Sequence, residues 1–190
     1  MFAMQVNRKV VLAVVLVVAW LGILAAAFWS FSGQYLRPYP NTTRFFDGQA
    51  LQLPKDLAGP GPIRVVHFWD PECPCNVANQ AHLTALLKRF GPQGVTFYAF
   101  RKPGTKGHLQ DALWDLKELD MPGPPPIEAS PAVAIWDRDG HLAYFGPYSE
   151  GATCTSANSF IEPVLEALVA GRPVKAPSAL ATGCYCAWKK

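Results

Sequence analysis

The longest uncharged apolar stretch in the chain is residues 10–29, VVLAVVLVVAWLGILAAAFW. About 20 apolar residues at 1.5 Å rise cross a hydrocarbon layer about 30 Å thick. A helix apolar on every face also has no side suited to water, which argues against a core helix of a soluble domain. Arg8 and Lys9 precede the run, while Phe28, Trp29, Phe31 and Tyr35 gather at its far end like an interfacial aromatic belt. The pattern predicts a cytoplasmic tail over 1–9, a retained transmembrane anchor over 10–31, and export of everything that follows. A cleaved signal peptide is the rival, because Ala25, Ala26 and Ala27 offer small residues for cleavage. Its apolar region, however, normally spans only about 7–15 residues.

Residues 32–44 (SGQYLRPYPNTTR) are polar and contain Pro38 and Pro40, which predicts a stalk. A folded domain is expected over 45–171. Within it, 63–69 (IRVVHFW) is an apolar, β-branched run between Gly-Pro and Asp-Pro, hence a buried strand. Over 75–90, Leu83, Leu86, Leu87 and Phe90 recur at helical spacing, with Lys88 and Arg89 in the last turn, Gly91 as cap and Pro92 as stop. Residues 95–100 (VTFYAF) read as a second strand. Leu109, Leu113, Leu116 and Leu119 fall on one face of a second helix, predicted over 108–119. After a Pro-rich loop come a third strand over 132–136, a hairpin turn at Asp139-Gly140 and a fourth strand over 141–145. Ser159 and Glu162 make a capping box for a last helix ending at Ala170. Residues 172–190 form an Ala/Pro-rich tail that ends GCYCAWKK. The order strand, helix, strand, helix, hairpin, helix predicts an α/β fold. Its mixed central sheet would have a parallel first pair, an antiparallel last pair and helices on both sides.

Composition sharpens this picture in two ways. Half the residues are hydrophobic and 16% are charged, against about 25% charged in an average soluble domain, which excludes a disordered chain. The net charge is +3, but without Arg8 and Lys9 the 17 basic residues fall to 15, against 14 acidic ones. With no basic face beyond Lys189-Lys190, nucleic-acid binding is set aside. All five cysteines lie beyond the anchor, in the exported portion where disulfides form and persist.

Cys73-Pro74-Cys75 sits where the first strand meets the first helix. A thiol at a helix N-terminus faces unpaired N–H groups and the positive end of the dipole, both of which favour thiolate, the nucleophile of disulfide exchange. Asp70 and Glu72 oppose that by Coulomb repulsion, so the net direction stays open. Cys184-Tyr185-Cys186 is a second pair with the same spacing, and Cys154 stands alone. The tail pair is free, or bridges tail to body, or swings onto Cys73 as a second dithiol. His67, two residues before Trp69, is either a proton relay near neutral pH or a hydrogen-bonded core histidine.

Three segments together resemble the thioredoxin superfamily in its membrane-anchored TlpA/ResA-like branch. Residues 47–51 (DGQAL) resemble its leader hairpin. Phe68-Trp69, with Cys73 four residues after the tryptophan, resembles its first core strand and active-site turn. Residues 130–140 (SPAVAIWDRDG) resemble its cis-proline strand and hairpin. The resemblance implies a thioredoxin-like fold, Cys73 as attacking thiol and Cys75 as resolving thiol. It also implies a cis bond at Pro131, and a substrate groove formed by Trp69, Ser130 and Pro131 in which backbone groups pair with a substrate peptide. Two departures stand out. One residue rather than two separates the cysteines, so a Cys73–Cys75 disulfide would close a ring of about 11 atoms rather than about 14 and be relatively oxidising. Otherwise the two thiols pair elsewhere or hold a metal. His67 also occupies the place of the superfamily's buried acid.

The leading expectation is therefore a membrane-tethered protein exchanging thiols and disulfides outside the cytoplasmic membrane, in the periplasm. It needs no cofactor, takes protein thiols or disulfides as substrate, and relies on a redox donor the sequence does not name. A Cu(I)-binding or copper-delivery protein is the second expectation, with Cys73, Cys75, Cys154, Cys184 and Cys186 as soft ligands. A redox-inactive thioredoxin-like binding module is the third.

Overall fold

The structure, a computed structural model, describes residues 8–38, 51–120, 127, 129–151, 154–174 and 182–188. The expected leader hairpin lies almost wholly outside them. The chain clusters into two units, Met1–Gln34 and Tyr35–Lys190.

In the first unit, helix α1 (Arg8–Tyr35) carries the apolar run. Its stretch Arg8–Gly33, which contains an 18-residue window of mean hydropathy 2.9, is long and apolar enough to cross a membrane or to serve as a signal sequence.

The second unit is built on a five-stranded mixed sheet. Its strands are β2 (Ile63–Trp69), β3 (Val95–Arg101), β4 (Lys117–Glu118), β6 (Ala132–Trp136) and β7 (Leu142–Gly146), in the order β4-β3-β2-β6-β7. β2 runs parallel to β3 and antiparallel to β6, and β6 and β7 form the antiparallel hairpin turned at Gly140, whose φ is +86°. Helix α2 (Asn76–Phe90) links β2 to β3, and α3 (Ile161–Val169) follows the hairpin. This is the thioredoxin-like α/β arrangement, a central mixed sheet flanked by helices.

Strand periodicity divides the core into two faces. Ile63, Val65 and Trp69 of β2 pack with Val133 and Ile135 of β6 and with Leu83, Leu86 and Phe90 of α2 and Ile161, Leu165 and Leu168 of α3. Val66 and Phe68 point the other way, to Phe100, Ala132, Ala134, Trp136 and Phe145. Both helices thus cover one face. Contrary to expectation, among the described residues no helix covers the second face, which is closed by Leu51, Leu53, Leu119, Ile127 and Tyr185.

The helix expected over 108–119 does not form. Its place is taken by a single 3-10 turn, Asp111–Leu113, and by β4. The leucine spacing correctly marked the apolar positions, since Leu109, Leu113 and Leu119 are buried. Tertiary bonds override the helical period here. Gln80 Oε1 accepts the Gln110 N–H at 3.0 Å. Further on, the chain must be extended to pair beside β3 and to send the Leu119 N–H to the Ala99 carbonyl at 2.8 Å.

Helix ends differ in detail from expectation. α2 passes through Gly91, whose φ is −53°, into a 3-10 turn, and the chain reverses at Gly94 with φ +84°. Ser159 does cap α3, its hydroxyl accepting the N–H groups of Ile161 and Glu162 at 3.1 and 3.2 Å. Glu162 does not complete the box, because its carboxylate pairs with Arg89 at 2.8 Å.

Two short sheets tie the segment read as tail to the segment read as stalk and to the end of the Pro-rich loop before β6. β1 (Leu36–Pro38) pairs antiparallel with β8 (Thr182–Cys184), and β5 (Ala129–Ser130) pairs antiparallel with β9 (Cys186–Ala187).

Candidate active site

The site begins where β2 runs out. After Trp69, Asp70 starts a tight turn in which its carbonyl accepts the Cys73 N–H at 2.9 Å and its Oδ1 accepts the Glu72 N–H at 3.1 Å. The Asn76 amide also donates to the Asp70 carbonyl. Asn79 Nδ2 donates to the Cys75 carbonyl at 2.9 Å, one turn into α2. Cys75 occupies the N-cap position of α2 with no side-chain cap, and the first turn carries no acidic residue, so the dipole end there is uncompensated from within the helix.

Asp70 is buried, and its charge is met by Lys102 Nζ at 2.7 Å. The repulsion that the sequence assigns to Asp70 is thus answered by a lysine at the end of the neighbouring strand. Lys102 carries no motif of its own. The only clue to its role was a basic residue just past a strand that must lie beside β2.

Four cysteines converge here. Cys73 is disulfide-bonded to Cys186 and Cys75 to Cys184. A Cys73–Cys75 bond is not formed; each member of the first pair is joined to one member of the tail pair. Equal spacing makes this possible, because two Cys-x-Cys segments meeting antiparallel place two sulfurs opposite two sulfurs. The buried cluster of Cys73, Cys75 and Cys184 is packed by Tyr35, Leu36 and Cys186, and the Tyr185 N–H donates to the Tyr35 carbonyl at 2.9 Å.

The Ser130–Pro131 bond is cis. Cys73 Sγ lies 3.8 Å from the Ser130 carbonyl oxygen, so the proline strand faces the first cysteine. Ser130 itself is paired in register with Cys186, and Ala129 with Ala187. The strand edge expected to receive a substrate peptide is therefore occupied by the chain's own tail. Trp69 is buried in the core with its indole N–H unpartnered among the described residues, and its edge borders a cleft. That cleft is lined by Pro71, Glu72, Cys73, Pro74, Val77 and Gln80 among others.

His67 lies wholly inside the core, its Nδ1 hydrogen-bonded to the Tyr148 hydroxyl at 2.8 Å. Burial pushes its pKa down to about 3, so the ring is neutral across the physiological range, as a core histidine would be. Cys154 does not join the other four. It is a free, buried thiol in the helix-covered core, and burial pushes its pKa up to about 11. It therefore drops out of the expected ligand set.

Comparison with solved structures extends the fold. Over 83% of this chain and 90% of theirs, it is similar to an uncharacterized conserved protein from Geobacillus kaustophilus, at 20% identity and a TM-score of 0.56. A hypothetical protein from Sinorhizobium meliloti 1021 is similar over 80% of this chain and 97% of its own, at 13% identity and a TM-score of 0.53. A secreted Mycobacterium tuberculosis disulfide oxidoreductase homologous to E. coli DsbE is similar over 57% of this chain and 84% of its own, at 20% identity and a TM-score of 0.42. No curated protein matches the sequence. Residues 42–188 match the family described as Domain of unknown function, DUF6436, and the chain belongs to that family.

Proposed function

We propose that the protein is a membrane-tethered, thioredoxin-like thiol–disulfide exchange protein acting outside the cytoplasmic membrane, of the kind the TlpA/ResA-like motifs imply, with Cys73 as its reacting sulfur. One observation carries this reading. Cys73 lies at the turn into α2, against the cis-proline strand and beside an open cleft, and is held in a disulfide with another cysteine of the same chain. The helix end at this turn favours thiolate, and Lys102 offsets the Asp70 charge beside it. The reacting partners are protein thiols or disulfides.

The test is a titration of the full-length protein, in detergent micelles, across glutathione buffers of stepped potential. Each cysteine's state is then mapped by alkylation and mass spectrometry. Reversible reduction of the Cys73 disulfide at a potential within the range of known exchange proteins is expected. A Cys73 disulfide that never opens short of unfolding would overturn the reading in favour of a redox-inactive binding module. Alkaline carbonate extraction of membranes tests the tether, with retention of the protein expected and its release pointing to a cleaved signal sequence.

A second reading rests on the sulfurs of Cys73, Cys75 and Cys186, which lie within 4.8 Å of one another. Once reduced, they offer a soft donor set suited to Cu(I). Competition of the reduced protein against a Cu(I) chelator tests this. A reduced protein that takes up no copper rejects it.

A further inference from the structure

We infer that Cys186, not Cys75, is the thiol that completes the exchange cycle with Cys73, and that Cys75–Cys184 is a fixed staple keeping Cys186 in place. The inference rests on exchange at Cys73 as proposed above and assigns the roles of the other three cysteines.

The two disulfides differ in their surroundings. Cys73, Cys75 and Cys184 are alike in burial, at 4%, 4% and 6% exposed, so the difference lies at the cleft and at Cys186. Neither the Cys75 nor the Cys184 sulfur borders the cleft that Cys73 lines. Cys186, the partner of Cys73, is only half-buried. An incoming sulfur thus has a way to the Cys73–Cys186 bond where Cys73 meets the cleft and past half-buried Cys186, whereas both ends of the Cys75–Cys184 bond are buried and neither lines that cleft. Cys75 is also already committed to Cys184.

Opening Cys73–Cys186 does not release the tail. β8 stays paired with β1 through Leu36 and Cys184, and Cys184 stays bonded to Cys75. Cys186 is two residues beyond that staple, a reach of about 7 Å at most for an extended chain, and its own strand pairs with Ala129 and Ser130. A thiol so confined meets Cys73 as an intramolecular partner at high effective concentration. The tail also fills the strand edge beside Pro131. Substrate therefore reaches Cys73 from the cleft of Pro71, Glu72 and Val77, as a thiol or disulfide on a mobile segment rather than as an added β-strand.

The steps balance. In the reducing direction, the Cys73 thiolate attacks a substrate disulfide, forms a mixed disulfide and expels one substrate thiolate. The Cys186 thiolate then attacks Cys73 Sγ and expels the second. The substrate gains two electrons, and Cys73 and Cys186 lose two in forming their disulfide. A dithiol reductant returns them for the next cycle. In the oxidising direction the same steps run backwards, and a disulfide oxidant restores the bond.

The experiment uses the full-length protein in detergent, a peptide with one internal disulfide as probe, and dithiothreitol as reductant. Cys186→Ser is expected to stall after one attack, with the peptide retained on Cys73 as a covalent mass adduct and multiple turnover lost. The double variant Cys75→Ser, Cys184→Ser is expected to release the peptide without accumulating that adduct. An adduct that builds up in Cys75→Ser and not in Cys186→Ser overturns the inference while leaving exchange at Cys73 intact. Turnover that survives Cys73→Ser removes the exchange reading itself. If the double variant does not fold, the wild-type protein still decides. With limiting dithiothreitol, Cys73 and Cys186 are expected to become alkylatable before Cys75 and Cys184, and the reverse order overturns the assignment.

Discussion

Lys102 and His67 show how single side chains set the properties of this site. Lys102 reaches a carboxylate that is almost fully buried, and its own side chain is only 18% exposed. Breaking a buried pair leaves an uncompensated charge, which costs far more than losing an exposed pair. Lys102→Met is accordingly expected to lower stability by about 3 kcal/mol, read as a fall in the urea midpoint. It is also expected to loosen the turn that holds Cys73, read as faster alkylation after mild reduction. His67 makes a prediction of a different kind. The unfolded chain takes up a proton below pH 6.5 that buried His67 refuses until about pH 3. Stability is therefore fully present above pH 6.5 and falls as pH drops towards 3, by up to about 1.4 kcal/mol per pH unit from this residue. Burial of His82 acts in the same direction, opposed by the nearby Glu162 carboxylate. Urea unfolding at several pH values should show His67→Gln losing about one proton's worth of this slope. A variant with the wild-type slope would contradict the assignment.

The elements themselves were legible wherever one period dominated. The β2 and β6 runs stood out as continuous apolar strands because both faces of the sheet are covered there. The 108–119 segment misled because buried leucines carry the same spacing whether a chain coils or is pinned by Gln80 and β3. Gly91 misled for a related reason. A glycine beside proline reads as a cap, yet the left-handed residue is Gly94. Two glycines three residues apart should then respond oppositely to alanine. Gly94→Ala forces a side chain to φ +84° in otherwise open space and is expected to cost about 1 kcal/mol. Gly91→Ala, whose new Cβ would meet Leu87 at an ordinary 3.9 Å, is expected to be neutral or to stabilise by a few tenths of a kcal/mol. Thermal unfolding of the two variants separates them. At the site, the turn, the proline strand and the cysteine inventory could be read from sequence. The cross-pairing could not, because which sulfur meets which depends on the β5–β9 and β1–β8 registers, and strands of two or three residues carry no readable period.

At the scale of the whole molecule, the two disulfides close concentric rings, with partners 113 and 109 residues apart. The first ring formed removes about 5 kcal/mol of chain entropy from the unfolded state, whereas the second closes only a short inner loop worth about 2 kcal/mol. The double variant Cys73→Ser, Cys186→Ser is thus expected to lose about 2 kcal/mol and the fourfold serine variant about 7 kcal/mol, measured by urea unfolding. Equal losses in the two variants would mean that the rings are not nested in this way. The arrangement suits a protein that opens one bond repeatedly without coming apart, since either bond opened alone leaves the other large ring closed.

Nesting also fixes an order of events in the life of each chain. Cys186 is added 113 residues after Cys73, which at ribosomal rates of about 5–20 residues per second is a delay of roughly 6–23 seconds. Through that interval the edge beside Pro131 has no β9, Phe100 lacks the stacked ring of Trp188, and Cys73 and Cys75 have only each other, Cys154 once it has been made, or a foreign sulfur to meet. Every newly made copy therefore passes once through a form in which the site is bare and its first two thiols are unclaimed, before its own final strand arrives to cover them.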